Sequence, residues 1–272
     1  MSRAVHVIGI GTGSPAHVTG QAVSAMRACD VFLVADKGEA KDELVAVRRG
    51  LCEELLEAGS YRFVTVPDPE RGPDASRDAA QYQAGVDAWH AARARRYAEV
   101  LDALPVDAVV GFLVWGDPAF YDSTVRIVEA VGRLTPVVMS VVPGISALQV
   151  LAAEHGIVLN GIGGPVHVTT GRRLASEWRP ELGTVVVMLD ARLQCVQLLK
   201  RAPDLYVHWG AYLGLPQQEL RAGRLADLAD ELVTLRAQLR ERHGWVMDTY
   251  ALTLPTGTAG GEGTEDTARA IG

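Results

Sequence analysis

The sequence predicts an α/β protein of two α/β domains, with a mostly parallel five-stranded N-terminal sheet and a mixed C-terminal sheet. Three observations predict it. Unbroken apolar runs such as 109–114 read as strands buried on both faces, the kind found inside a parallel sheet. These runs alternate with helical apolar patterns through residue 154. After about residue 155 the strands become short and polar-interrupted, which marks a second and different sheet. A chain of 272 residues that is 48% hydrophobic can bury a core in each.

The first strand is 4–10. It runs into Gly9-Ile10-Gly11-Thr12-Gly13-Ser14-Pro15, and Thr19 is placed to cap a helix over 21–29. A buried strand follows at 31–35 and ends at Asp36. This β-loop-α-β opening resembles a dinucleotide site, but the spacing disagrees. The dinucleotide fingerprint is G-x-G-x-x-G with its third glycine at the helix start. Here the order is G-x-G-x-G, then Ser-Pro and three more residues before Thr19. Such a loop is too long to seat a pyrophosphate on the helix N-terminus.

Residues 41–56 carry Leu44, Val47, Leu51, Leu55 and Leu56 at helical spacing, with Arg48 and Arg49 on the polar side. A strand at 61–66 precedes the proline-rich loop 67–73. A long helix over 78–104 carries Trp89, His90, Arg93, Arg95 and Arg96, arginines that would ordinarily sit on a solvated face.

The strand at 109–114 stops at Trp115-Gly116-Asp117-Pro118, with a helix expected from Ala119. Gly-Asp-Pro is ordinary turn chemistry. It also lies at the carboxyl end of a buried strand, where open α/β sheets bind ligands. The strand at 136–142 ends the same way, in Val142-Pro143-Gly144-Ile145-Ser146-Ala147, and opens a helix through Glu154. Two such turns side by side would form one ligand crevice.

Beyond it, strands are expected at 165–170, 184–189, 205–209, 217–223 and 245–254, and helices at 192–201 and 225–243. The domains are then 1–143 and 144–254, and the Gly/Thr-rich stretch 255–272 is expected to be a disordered tail. The net charge of −7 argues against a nucleic-acid or membrane surface. No apolar run reaches membrane-spanning length, and no signal segment is expected at the start. Cys29, Cys52 and Cys195 share no ligand-like spacing, so reduced structural thiols in a cytoplasm, and no metal, are expected.

The glycine-rich segment 9–13 with Thr19, Gly116-Asp117-Pro118-x-x-Tyr121, the 142–147 turn and Val187-Met188 occur in an order and spacing that resembles the tetrapyrrole (corrin/porphyrin) methylases, over about residues 3–254. The resemblance implies two α/β domains, S-adenosylmethionine in an active-site trough between them, and a homodimer. The methyl donor would lie against Trp115, Gly116, Asp117 and Phe120, with Ser146, Ala147, Met188, Gly210 and Ala211 completing its site. Gly11, Thr12, Gly13 and Tyr121 would border the substrate. Trp115 stands where most members have glycine, and Thr12 where many have proline.

Further details are similar to a deacetylating member of that family. They are Asp36-Lys37-Gly38, Arg48-Arg49, Asp68-Pro69-x-Arg71, Tyr82 with Trp89 and Arg93, and the whole stretch 112–118. The reaction implied is methylation of precorrin-5 at C-1 with loss of an acetyl group as acetate. The alternative within the family is another precorrin or uroporphyrinogen methyltransferase acting at a different ring carbon. Methyl transfer from a sulfonium needs in-line positioning more than acid–base chemistry. Acetyl removal needs water and a base, for which Asp36, His90 and Asp117 are all candidates. Arg48, Arg49, Arg71, Arg93 and Arg172 form the pool of partners for substrate carboxylates. Outside the family, the rivals are a nucleotide-binding dehydrogenase, disfavoured by the loop spacing, and a non-catalytic binding module of the same fold.

Overall fold

The computed structural model describes residues 2–36, 42–69 and 79–255. Lys37, Gly38, Arg71 and the stretch expected to form a tail, beyond Pro255, lie outside them.

The first half alternates β1 (Arg3–Gly9), α1 (Gly20–Arg27), β2 (Val31–Asp36), α2 (Asp42–Leu55), β3 (Arg62–Pro67), α3 (Ala79–Ala103), β4 (Val110–Val114), α4 (Thr124–Gly132) and β5 (Val137–Val142). The sheet order is β3-β2-β4-β1-β5 and every pairing is parallel. Parallel strands need crossovers, and the crossover helices cover both faces. Val5, Val7, Phe112 and Val114 pack on Tyr97, Leu101, Ile127 and Val131. Ile8, Phe32 and Leu113 pack on Met26, Leu51 and Cys52 from the other face. Burial on both faces is why these strands read as continuous apolar runs. The crossover leaving β1 runs toward the β3 edge of the sheet and the one leaving β4 runs toward the β5 edge, so the crevice opens past the carboxyl ends of these neighbouring strands.

The second half contains α5 (Ala147–Glu154), β6 (Val166–Thr170), α6 (Gly171–Glu177), β7 (Thr184–Met188), β8 (Tyr206–Ala211), β9 (Glu219–Arg224), α7 (Leu225–His243) and β10 (Asp248–Thr253). Its sheet, in the order β6-β7-β10-β8-β9, is mixed: β6 and β7 are parallel, and the other pairs antiparallel. Trp209, Tyr212 and Tyr250 anchor the core on one face. Val150 and Leu151 of α5 pack on Val186, Leu213 and Ala251 on the other.

The architecture matches the fold read from the sequence, with three local differences. The helix expected from Ala119 begins at Thr124, because Tyr121 adopts φ +51° and no helix continues through that geometry. The helix expected over 192–201 is a 3-10 turn at Gln194–Leu198. There the Asp190 carboxylate accepts the Arg192 and Gln194 amides at 3.0 and 2.6 Å, and Leu193 takes φ +51°. Helix α6 was not anticipated; it is a short helix of seven residues directly after β6.

Candidate active site

Three strand ends meet at one point. Gly11 and Gly116 exchange backbone hydrogen bonds, Gly116 N donating to Gly11 O at 2.7 Å and Gly11 N to Gly116 O at 3.2 Å. Both sit at positive φ, +70° and +67°. The turn after β5 closes on them so tightly that a Cβ on Gly144 would lie 2.1 Å from Gly116 O. Asp117 fastens the arrangement. One carboxylate oxygen accepts the Ala119 amide at 2.7 Å and the other accepts the Gly144 amide at 2.8 Å. Both oxygens of the acid proposed from sequence are therefore engaged by backbone donors.

Beside this junction lies a cavity of about 450 Å3, mostly apolar, lined by Trp115, Phe120, Ala147, Met188 and Met247 among others. Thr12 reaches its wall but is buried, with its hydroxyl 2.9 Å from His17 Nδ1. Gly13 backs Trp115: a Cβ there would fall 3.0 Å from the indole and 2.5 Å from Leu215. Ser146 is buried and works on α5, donating its amide and hydroxyl to Gln149 Oε1 at 2.8 and 2.9 Å. Gly210 and Ala211 do not line this cavity. They are buried within β8, where a Cβ on Gly210 would meet Leu213 at 2.7 Å.

An ion pair that the sequence did not suggest lies on the same wall. Arg236 donates Nε to Asp248 Oδ2 at 2.9 Å and Nη2 to Asp248 Oδ1 at 3.2 Å, while the Trp209 indole donates to Oδ2 at 3.1 Å. Burial pushes the Asp248 carboxyl above the usual range, and Arg236 pulls it back. Arg236 also donates to the Ala191 and Asp190 carbonyls at 2.9 and 3.3 Å. The residues come from α7, β10 and the end of β7, and no local spacing relates them. This pocket has the volume, soft thioethers and few fixed polar groups that a ligand of the size and chemistry of S-adenosylmethionine requires.

A second cavity, about 550 Å3, lies toward α2, α3 and α4 and mixes apolar with charged lining. Arg48, His90, Arg93, Arg126 and Arg172 line it. Arg48 donates to the Leu113 and Leu44 carbonyls, both at 2.9 Å; burial lowers its pKa and the nearby Asp122 charge opposes that. Arg93 grips Asp68 through two hydrogen bonds, the Nε–Oδ1 contact being 2.8 Å, and stacks 4.0 Å over Trp89. Trp89 donates its indole N–H to Pro69 O at 3.1 Å. Arg126 was missed by the sequence reading. It is exposed on α4 and forms no hydrogen bond or ion pair with another described residue.

Two sequence candidates lie off both cavities. Arg49 is exposed and sits 4.4 Å over the Phe63 ring. Asp36 is exposed at the end of β2, where its carbonyl accepts the Asp68 amide at 3.2 Å.

The two cavities share a wall made by Leu44, Tyr121, Asp122 and Leu189. Tyr121, from the turn after β4, donates its hydroxyl to Val168 O in β6 at 3.1 Å and so ties one half of the molecule to the other. Leu189 closes the wall from the end of β7 at φ +54°. Elsewhere the chemistry is plain. The three cysteines are free and buried, and burial pushes each thiol up to about 12. Among the described residues no cluster of His, Cys, Asp and Glu is placed to hold a metal, and no helix is long and apolar enough to cross a membrane.

Comparison with known proteins agrees with this fold. The family model described as tetrapyrrole (corrin/porphyrin) methylases matches residues 4–229. A curated relative from Sinorhizobium sp, named precorrin-6A synthase (deacetylating), is 41% identical over 253 residues, 92% of this chain and 95% of the relative. A crystal structure described as a cobalamin synthesis related protein (CobF) from Corynebacterium diphtheriae superposes with TM-score 0.77 at 38% identity, covering 93% of this chain and 99% of that one. Uroporphyrin-III C-methyl transferase from Thermus thermophilus, complexed with S-adenosyl homocysteine, shares the fold at TM-score 0.57 and 19% identity, with 92% of each chain covered. The chain belongs to the tetrapyrrole (corrin/porphyrin) methylases.

Proposed function

We propose that this chain is an S-adenosylmethionine-dependent C-methyltransferase of cobalamin biosynthesis that methylates precorrin-5 at C-1 and releases acetate, giving precorrin-6A. The observation that carries the reading is the shared wall. An apolar cavity holding Met188 and an arginine-lined cavity meet at Tyr121, Asp122 and Leu189. A methyl donor on one side and a polycarboxylate on the other would then present their reacting carbons to each other across that wall. In-line positioning of this kind is what methyl transfer requires. The named relative supports the substrate.

S-adenosylmethionine, when bound, supplies the electrophilic methyl group. Trp115, Phe120 and Met188 would bury its apolar parts, and the Arg236–Asp248 pair would face its polar end. Arg48, Arg126 and Arg172 would receive substrate carboxylates.

We also propose residues 1–143 and 144–254 as the two domains, a homodimer as the assembly, and the cytoplasm as the compartment. The last is supported by three free, buried thiols.

The test is turnover of precorrin-5 with S-adenosylmethionine, read by product mass and by acetate. One added methyl with one acetate released is the expected result. A methylated product without acetate would assign the chain to another ring carbon, and S-adenosylhomocysteine binding without any turnover would make it a binding module. Sedimentation gives the assembly state.

A further inference from the structure

We infer that Asp122 is the base that activates water for removal of the acetyl group. The inference rests on the deacetylating reading above and adds to it the residue that does this half of the chemistry. The carrying observation is a juxtaposition. Asp122 lies on the wall common to the donor cavity and the arginine-lined cavity, and it also borders a third opening past Asp117 and Pro118. On that reading the ring carbon that loses the acetyl group is the one that gains the methyl group, which places it where the donor cavity and the arginine-lined cavity meet. Among the described residues four form the wall, and Asp122 is the carboxylate of those four.

The other three cannot take the proton. Leu44 and Leu189 are hydrocarbon. The Tyr121 hydroxyl donates to Val168 O, and burial, with the Glu177 charge, holds its proton more firmly than usual. The acids and bases outside the wall are less well placed. Asp117 has both oxygens engaged by the Ala119 and Gly144 amides. Asp36 lies off both cavities. His90 lines only the arginine side, against Trp89.

Asp122 itself is half-buried and held at one end. Its Oδ1 accepts the Thr124 amide at 2.6 Å, which orients the carboxylate at the start of α4. Its Oδ2 has no hydrogen-bond partner among the described residues. The third opening reaches the same residue and gives water a route to it.

The step balances without a further reactant. Asp122 takes one proton of a water molecule as the water oxygen bonds to the acetyl carbonyl carbon. The bond from that carbon to the ring carbon then breaks. Acetic acid leaves with the second proton of the water, and the electron pair stays on the ring carbon, where it forms the bond to the methyl group as the donor's methyl–sulfur bond breaks and that pair remains on sulfur.

The experiment compares wild-type protein with Asp122→Asn and Asp122→Ala, using precorrin-5 and S-adenosylmethionine. Asparagine keeps an oxygen for the Thr124 amide, so the start of α4 survives. Acetate release should fall by about 100-fold or more in both variants, with S-adenosylhomocysteine affinity within about twofold of wild type. Added formate, a small carboxylate, should restore acetate release in Asp122→Ala. Acetate release in Asp122→Asn within about threefold of wild type overturns the assignment. So does a matching loss of S-adenosylhomocysteine affinity in both variants, or a lack of response to formate. Wild-type protein that releases no acetate instead overturns the functional reading itself, which separates the two failures.

Discussion

Asp117 reaches across from the turn after β4 to accept the Gly144 amide at 2.8 Å in the turn after β5. The same carboxylate holds its own turn through the Ala119 amide. One side chain therefore sets the distance between the two turns that flank the donor cavity. Nearby, Gly144 brings its backbone against Gly116 O, where a Cβ would have 2.1 Å. The motif is a joint, and the pocket wall is its consequence.

Asp117→Ala should therefore lose stability as well as activity. Two hydrogen bonds to a charged acceptor disappear, a cost of about 2–4 kcal/mol after solvent competition. Denaturant titration measures that cost, and S-adenosylhomocysteine affinity should fall with it. Gly144→Ala should reproduce the defect through crowding alone. An Asp117→Ala variant with full stability but no turnover would instead make Asp117 a reacting group.

The arginines should separate into three behaviours. Arg126→Gln should raise KM for the tetrapyrrole by about 10-fold or more, because a charge-assisted bond to a carboxylate is lost. Its kcat and S-adenosylhomocysteine affinity should hold. Arg93→Gln should instead unfold the protein more readily, by about 3–5 kcal/mol, since it strands the largely buried Asp68 charge. Arg49→Gln should change neither, as this side chain lies on Phe63 away from the cavities. Steady-state kinetics and denaturant titration on the same three variants check all of this.

Stability should also drop in acid through Glu177. This carboxylate accepts from Thr169 Oγ1 at 2.5 Å, and from Arg173 and His167, so its pKa falls to about 2 from an ordinary 4.5. A group depressed on folding contributes its stability above the unfolded value and loses it as pH falls through the folded one. The melting temperature should thus decline between about pH 4.5 and 2. Glu177→Gln should flatten that decline. An unchanged acid profile in the variant would mean the carboxylate is not coupled to folding.

Much of this was legible in the sequence because parallel strands advertise themselves. Burial on both faces turns 109–114 into an apolar run, and the turns after β4 and β5 carry their glycines and Asp117 in plain order. The relation between elements was not legible. Arg236 and Asp248 meet only because α7 packs beside β10. Arg126 counts as a surface arginine until α4 is seen to border a cavity. Arg93 looked like a free cation until its partner Asp68, 25 residues back, was in view. Asp122 gave no signal, since its value lies in standing where two cavities touch. The delayed start of α4 has the same root: Tyr121 combines a positive φ with a tether to Val168, a tertiary contact that no local propensity contains.

Leu189 provides the last prediction, because stability and function should move in opposite directions there. It is an apolar residue, 67% exposed, at φ +54°. A residue with a Cβ pays about 1 kcal/mol or more for that backbone region, and glycine does not. So exposed a side chain contributes little burial energy, which leaves the strain as the larger effect. Strain of this kind persists where the surrounding structure fixes it, and it clusters at ligand sites. Leu189 stands at the common wall of the two cavities, with no covering element among the described residues, where a bound ring would supply the missing contact. Leu189→Gly should therefore melt at the wild-type temperature or a few degrees above it, while kcat/KM for the tetrapyrrole drops by about 10-fold. Leu189→Asn, which tolerates the same φ but presents a polar group, should match the glycine variant in kcat/KM. Calorimetry and steady-state kinetics on the two variants decide it: lower melting temperatures with unchanged turnover would make Leu189 a structural residue.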